Sequence, residues 1–392
     1  MPHYKYLIIG GGMTADAALG GIRSVDEGGS IGMISAEENP PYDRPPLTKG
    51  LWKNKPFEDI WRGTGERDVD LHLRTWIRSL DPQGKRVTDD QGREFTYEKL
   101  LLATGGTPRE LPFGAGNIIY YRTVEDYKQL HELAQEKRHF AVIGGGFIGS
   151  EIAAALAMND QRVSIIFPEK GIGAQRFPGD LSDFLNDYYR QHGVEVITGE
   201  TVSDMSSENQ GITLKTRSGR QINADVVVAG IGIRPNTELA ESAGLQVEDG
   251  IIVDEFLRTS DPDIYAAGDV ASFYNPALDK RIRVEHEDNA NTMGKIAGKN
   301  MAGELTPYHH LPMFYSDLFD LGYEAVGDLN SSLETVSDWQ EPFKKGIVYY
   351  LKDQRVRGVL AWNVWEQVEP ARKLIAEPGP FSAETVKRRL PA

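Results

Sequence analysis

The sequence contains no cysteine. That absence removes disulfides, thiolate metal ligands, cysteine-held iron–sulfur clusters, and every thiol nucleophile or redox dithiol. Any redox chemistry in this chain must therefore belong to a bound cofactor. Long apolar runs are missing too: nowhere do about 18 apolar residues follow one another, so no membrane span is expected. Positive charge is in deficit. Against 58 Asp and Glu stand 43 Lys and Arg, a formal net charge of −15 at pH 7. Such a chain repels phosphate backbones, so nucleic acid is not an expected partner. "KYLIIGGG" enters a strand pattern close to the N-terminus, which leaves no room for a signal or transit peptide and makes a cytoplasmic address the expectation.

What remains is the composition of a globular protein, 392 residues with 40% hydrophobic and 26% charged, long enough for two or three domains. Lys5–Ile9 reads as a buried strand, Met13–Arg23 as a helix and Ser30–Ile34 as a strand: a βαβ unit with glycines at its first turn. A Pro-rich loop follows, "NPPYDRPPLTKG", then a polar segment to about Thr96 and a short apolar strand at Lys99–Gly106. The pattern restarts with a helix at Val124–Lys137, a strand at His139–Ile143 and an apolar helix at Phe147–Met158. A strand at Arg162–Phe167, a helix at Leu181–Gln191 and a strand at Val194–Ile197 complete the second unit. "ADVVVAGIGIRPN" repeats the strand-then-glycine ending of "LLLATGGTPRE". Two similar units in this order suggest an internal duplication. The last 80 or so residues alternate aromatic and polar positions, which predicts antiparallel strands closed by a helix at Pro370–Ile375.

Both glycine turns have the context that a dinucleotide-binding turn needs. Gly10-x-Gly12-x-x-Ala15 and Gly144-x-Gly146-x-x-Gly149 each follow an apolar strand and open an apolar helix. The first glycine allows the tight turn and the second lets backbone N–H groups approach a pyrophosphate. The third small residue lets helix and strand pack closely, and the helix N-terminus favours the negative charge. An acidic residue for the ribose hydroxyls is expected about 20 residues on. Glu169 fills that place after the second turn, favouring NADH over NADPH, with Lys170 beside it weakening the preference. After the first turn, Glu37 in "MISAEEN" is the candidate. Two dinucleotide sites without a thiol suggest that one nucleotide reduces the other, and a flavin fits, because it takes a hydride and can release electrons singly. In "TSDPDIYAAGDVA" a strand ends at Ala266–Ala267 and Gly268-Asp269 is expected to begin a helix, with Asp269 placed for a ribityl hydroxyl. His309 and His310 lack metal-ligand spacing, and no metal is expected. Trp362 and Trp365 are expected to pack in the core or against the flavin domain rather than to form an electron path.

Assembled, these residues resemble a two-dinucleotide flavoprotein of the glutathione-reductase structural class. Within it the chain is similar to the branch containing ferredoxin and putidaredoxin reductases, and most to apoptosis-inducing factor and its prokaryotic relatives. The likeness rests on "PYDRPPLTKGLW", "IGGGFIGSEIA", "IIFPEKG", "IYAAGDVA", "RVEHEDNA", "MFYSDLFDLGYEAVG" and "GVLAWNVWEQVEPARKLI". It implies an α/β fold with two Rossmann-like domains, for FAD and NAD, plus a C-terminal α+β domain. The FAD domain would comprise residues 1–112 and 247–308, the NAD domain 113–246 and the C-terminal domain 309–392.

The resemblance places Arg44 and Lys49 against FAD, Glu151 beside the flavin and paired with Lys49, and His286 near the isoalloxazine. Ala103, Thr104, Gly105, Gly268, Asp269, Glu285 and Tyr315 join the FAD set. Phe147, Ile148, Glu169, Lys170 and Gly232 join the glycines and Glu151 in the NAD set. Lys49, Glu151 and His286 form the expected reaction centre. Hydride would pass from NADH to flavin N5 with no side chain acting as nucleophile or general base. Lys49 would bring positive charge near N5, and Glu151 would hold that ammonium. Tyr315 stands where relatives have tryptophan, and Ala36 stands where they have a carboxylate, with Glu37 one residue later. The long insertion and basic balance of the mitochondrial proteins are missing, so DNA binding and a role in cell death are not carried over.

Electrons would pass to a ferredoxin- or rubredoxin-like carrier, docked on Lys280-Arg281-x-Arg283 or Lys387-Arg388-Arg389, or to a small acceptor. Alternatives are a slow oxidase or reductase acting on oxygen or quinones, and a redox-signalling flavoprotein with a lasting reduced FAD–NAD complex. A homodimer is left open.

Overall fold

The first βαβ unit forms where the glycine pattern puts it. The computed structural model describes residues 1–208 and 211–391 and divides into two units. The first comprises Met1–Arg44, Phe57–Thr107 and Arg234–Pro312. Its central strand, His3–Ile9, runs parallel to Ile31–Ile34 on one side and Glu94–Leu102 on the other, with Ile8 opposite both Met33 and Leu101. Asp70–His72 extends the sheet beyond Ile31–Ile34, and Ile264–Ala266 joins beyond Leu100–Leu102. Leu7, Ile8 and Leu100 to Leu102 are fully buried, the continuous apolar run of a parallel sheet covered on both faces.

Helix Met13–Arg23 follows the glycine turn and packs against helix Glu287–Met301 so closely that a Cβ on Gly298 would collide with the Ala18 carbonyl. Two expectations are corrected here. The apolar strand begins at Glu94 and ends at Leu102, because its first half pairs antiparallel with Arg86–Asp89 in the segment that looked merely polar. Gly268-Asp269 opens no α-helix: a single 3-10 turn, Gly268–Val270, leads into the strand Ala271–Asn275. In "ASFYN" only Tyr274 is exposed, and the segment pairs with Gly250–Ile252 on one side and Lys280–Ile282 on the other.

Asp89 closes the turn before Glu94. Its carboxylate is fully buried and accepts the backbone N–H groups of Gln91 (2.9 Å) and Arg93 (2.7 Å) and Nε of Arg93 (2.6 Å). Burial pushes this carboxyl up, but those donors outweigh it and hold it below the usual carboxylate range. A depressed pKa contributes stability above the unfolded value of about 4, lost as the pH falls through the folded value. Asp89→Asn should therefore cost about 1–3 kcal/mol at pH 7, and the gap to the native protein should narrow in urea titrations below about pH 4.

The second unit comprises Pro45–Pro56, Pro108–Ile233 and Met313–Ala392. Its parallel sheet has the order Val194–Thr198, Arg162–Phe167, His139–Ile143, Val226–Ala229, Ile118–Tyr120. Helix Phe147–Met158 has the predicted bounds, whereas the preceding helix ends at Leu133 and not Lys137. Thr123 and Asp126 form its capping box, and the polar residues after Leu133 no longer offer an apolar face. The C-terminal strands form one antiparallel sheet, in the order Met313–Leu318, Leu321–Gly327, Arg355–Trp362, Lys345–Lys352, Glu334–Glu341. Helix Val368–Ala376 packs on Leu321–Gly327 and Arg355–Trp362. Trp362 is fully buried and stacks on Tyr323 with centroids 5.5 Å apart. Trp365 lies outside the core: it is half exposed, with its ring against Gly322.

Candidate functional site

In the first unit the glycine turn leaves the C-terminal end of His3–Ile9, with Ile31–Ile34 on one side and Glu94–Leu102 on the other, so that the strand order reverses there, the place at which open α/β sheets bind nucleotides. Gly10 adopts φ +132°, and a Cβ there would collide with the Ala103 carbonyl. Ala15, fully buried, lets the helix lie against the sheet. A Cβ on Gly12, by contrast, would meet no protein atom within 4 Å. Thr104 and Gly105, just beyond Ala103, are fixed by Asn236. Thr104 Oγ1 donates to the Asn236 carbonyl (2.8 Å), Asn236 Nδ2 donates to the Thr104 carbonyl (2.9 Å), and the Asn236 N–H donates to the Gly105 carbonyl (3.0 Å).

Glu37 and Arg44 meet directly. Arg44 Nη2 lies 2.5 Å from Glu37 Oε1, and Tyr42 OH donates to Glu37 Oε2 at 2.7 Å. Burial works against the Arg44 charge, but Glu37, Tyr42 and, more weakly, Asp269 hold its pKa above the ordinary arginine value. Asp269 is thus within electrostatic reach of Arg44, and its carbonyl accepts Arg283 Nη1 at 3.1 Å. The same guanidinium binds Asp249 (2.9 Å) and Glu285 (2.6 Å). Glu285 is therefore engaged by Arg283, while His286 occupies the N-cap of helix Glu287–Met301.

The second unit repeats the arrangement. Gly144 adopts φ +114° at the end of His139–Ile143, and a Cβ there would collide with the Gly230 carbonyl. A Cβ on Gly149 would collide with the Gly144 carbonyl, while one on Gly146 would again meet nothing within 4 Å. Gly232, φ +88°, accepts the Arg109 N–H at 2.9 Å. Phe147 packs edge-on to Phe314 and under the Arg176 guanidinium, and Ile148 is exposed. Glu169 stands just past the end of Arg162–Phe167, partly exposed, and accepts Gln175 Nε2 at 2.8 Å. The side chain of Lys170 is exposed, while its carbonyl accepts Asn186 Nδ2.

Glu151, in the first turns of the helix that follows, is 3% exposed and pairs with Lys49 Nζ at 2.8 Å. Two hydroxyls donate to the same carboxylate: Thr48 Oγ1 to Oε2 and Ser316 Oγ to Oε1, both at 2.5 Å. The loop carrying Lys49 is two successive 3-10 turns, Pro45–Thr48 and Gly50–Lys53. Trp52 Nε1 and Tyr121 OH both donate to the Leu47 carbonyl and anchor the loop. Tyr315 lies with Lys49 Nζ 5.3 Å from its ring centroid. Burial first, and the negative charge of Glu151 second, push the phenols of Tyr189 and Tyr323 well above their ordinary value.

Sequence reading missed Thr48, Ser316 and Asn236, and named Arg283 only within a docking run. Thr48 and Ser316 sit inside quoted motifs, "RPPLTK" and "FYSDL", but nothing local marks a hydroxyl whose partner is more than a hundred residues away. Basic residues of the expected docking runs have partners within the chain: Arg281 donates to the Val253 and Ser272 carbonyls, Arg283 pairs as above, and Arg389 pairs with Glu377. His310 Nε2 lies 2.6 Å from Asp288. Among the described residues no group of three or more His, Cys, Asp or Glu is placed to hold a metal, and no helix is long and apolar enough to cross a membrane.

The two turns fit dinucleotides. At Gly12 and Gly146 no packing demands glycine, no side chain caps the helix that follows, and open space lies where a Cβ would go, as required for backbone N–H groups to approach a pyrophosphate. Residues 4–294 match the family model described as pyridine nucleotide-disulphide oxidoreductase. Residues 297–342 and 337–377 match that of the apoptosis-inducing factor, mitochondrion-associated, C-term. The chain is 38% identical to mitochondrial apoptosis-inducing factor 1 of Dictyostelium discoideum over 95% of its own length and 78% of the relative's. It is 35% identical to monodehydroascorbate reductase 3 of Arabidopsis thaliana, covering 91% and 88%. Its fold is similar to that in the crystal structure of the covalent putidaredoxin reductase–putidaredoxin complex, with a TM-score of 0.90 at 28% identity, covering 97% and 94% of the two chains. With no cysteine, the chain lacks the dithiol that the family description invokes. The chain belongs to the pyridine nucleotide-disulphide oxidoreductase family, in its ferredoxin-reductase-like branch, and is an oxidoreductase that uses FAD and NADH.

Proposed function

We propose that the chain transfers electrons from NADH through FAD to a ferredoxin- or rubredoxin-like carrier protein, with Lys49 and Glu151 setting the charge beside the flavin. FAD, when bound, supplies the hydride acceptor and the capacity to pass electrons on singly. The chain's own residues bind, orient and polarise. Gly10, Gly12 and Ala15, with Ala103, Thr104, Gly105, Gly268 and Asp269, form the flavin-nucleotide cradle, and Arg44 adds a cation. Gly144, Gly146, Gly149 and Gly232, with Phe147 and Ile148, form the NAD cradle. Glu285 and His286 close the flavin set from the head of helix Glu287–Met301, and Tyr315 stands beside Lys49. The single observation that best supports this reading is Lys49, a cation held in place by a buried carboxylate on the NAD-turn helix. A fixed positive charge favours electron uptake by the group beside it. The cytoplasm is the proposed address.

Glu169 supports NADH as the donor, because a carboxylate repels the extra phosphate of NADPH; Lys170 works in the opposite direction. Anaerobic flavin bleaching by NADH should be faster than by NADPH by about tenfold or more, the ratio that ~1.4 kcal/mol supplies. Equal rates would remove Glu169 from the selectivity role. Admitting air, quinone or carrier protein in turn then reads the acceptor. Rapid reoxidation by a carrier supports the proposal, and rapid reoxidation by air or quinone points to an oxidase or quinone reductase. A second reading is favoured by the match to the apoptosis-inducing factor C-terminal model: a redox-signalling protein. A long-wavelength band persisting in air, with homodimers that depend on NADH, would select it.

A further inference from the structure

Glu151 has more donors than a pair with Lys49 requires. A lone ammonium contact leaves the terminal torsion of a glutamate loosely defined, because the wells for that bond are broad. Here the carboxylate is gripped through both oxygens. Ser316 Oγ and Lys49 Nζ share Oε1, and Thr48 Oγ1 takes Oε2. Thr48 and Ser316 are 7% and 1% exposed, so water does not compete for either bond, and a buried hydroxyl without a partner is costly. The grip comes from remote parts of one unit, the 3-10 turn Pro45–Thr48 and the C-terminal strand Met313–Leu318. Thr48 Oγ1 also accepts Lys49 Nζ at 3.5 Å. On the strand, Tyr315 and Ser316 point to opposite faces, one exposed and one buried. That strand therefore touches both the cation, through the Tyr315 ring, and its counter-ion, through Ser316.

We propose that Thr48 and Ser316 are positioning residues: by fixing both oxygens of the Glu151 carboxylate they fix the place of the Lys49 ammonium, and with it the charge presented to the flavin. The inference rests on the reading of Lys49 given above. Its logic is geometric: displacement of a charged group by about 1 Å is enough to cost about 10²-fold in rate.

The test compares native holoprotein with Thr48→Val, Ser316→Ala and the double variant, together with the conservative Thr48→Ser and Ser316→Thr. Two readouts are taken. One is the rate at which Lys49 is labelled by a limiting amine reagent, followed by mass spectrometry against the other lysines. The other is the anaerobic rate of flavin bleaching by NADH, with the flavin midpoint potential. In the double variant Lys49 labelling should rise about tenfold, as expected when charge-assisted hydrogen bonds are lost. Bleaching should slow by about 10²-fold, and the hydroxyl-retaining variants should restore both. Unchanged Lys49 labelling overturns the positioning role. Raised labelling with unchanged bleaching and potential leaves positioning intact and overturns the assignment of Lys49 to the flavin. Should the double variant fail to fold, Ser316→Ala alone decides the same question, because serine to alanine removes one oxygen and adds no bulk.

Discussion

Gly146→Ala should give a folded, yellow protein that has lost most of its grip on NADH, whereas Gly149→Ala should be damaged as a protein. The two residues stand in one turn and differ in what surrounds them. Gly146 has φ −82°, which any residue adopts, and its Cβ would meet no protein atom within 4 Å. Nothing in the fold requires glycine there; on the proposed reading the requirement is the backbone approach to a pyrophosphate. A methyl group in that space should remove one charge-assisted hydrogen bond, about 1.5–3 kcal/mol, weakening NADH binding by about 10- to 100-fold. The flavin content and melting temperature should stay close to native. At Gly149 the Cβ would fall on the Gly144 carbonyl oxygen, and the helix could accept it only by moving off the sheet, at about 3 kcal/mol or more. The first turn offers the matching pair. Gly12→Ala should lower FAD retention with the apoprotein still folded, and Gly10→Ala, at φ +132° and against Ala103, should unsettle the turn itself. Native NADH affinity in Gly146→Ala would mean that the open space there does not receive the nucleotide.

The geometry of these turns was legible in the sequence because it is local: strand, glycines and helix lie within some fifteen residues, and period and spacing report them. Helix Phe147–Met158 was readable to the residue for the same reason. Failures came where a neighbour distant in sequence decides the outcome. Gly268-Asp269 looked like a helix start, yet Ala271 pairs with Ile251 and Phe273 with Ile282, and these partners turn the segment into a strand. Likewise "EFTYE" looked polar until Arg86–Asp89 was found beside it. The sequence counts the charges of the basic runs and does not show that Arg283 and Arg389 have carboxylate partners. Glu151 shows both sides. Its oddness in an apolar helix was plain, and its pairing with Lys49 followed from resemblance, but its two hydroxyl donors belong to segments that only the fold brings together.

The Lys49–Glu151 pair can be separated into its structural and its chemical part by a double-mutant cycle. Lys49 and Glu151 are 12% and 3% exposed, so removing one partner strands the other where water cannot replace it. Glu151→Ala leaves the ammonium with no carboxylate and should cost about 3–5 kcal/mol of stability. Lys49→Met should cost less, because the carboxylate keeps its donors from Thr48 and Ser316. Its larger effect should fall on chemistry, with anaerobic bleaching by NADH slowed by about 10²- to 10³-fold, the loss typical when a preorganised electrostatic group is removed. The double variant Lys49→Met/Glu151→Ala removes both charges together. Its stability should recover part of the way towards native, since no buried charge is left alone although Thr48 and Ser316 lose their acceptor, while its bleaching rate should stay as low as that of Lys49→Met. Stability would then recover while the rate stayed low across one cycle, and a purely structural pair cannot produce that result. A double variant that regained rate along with stability would reduce the pair to a packing device and take Lys49 out of the electron-transfer machinery.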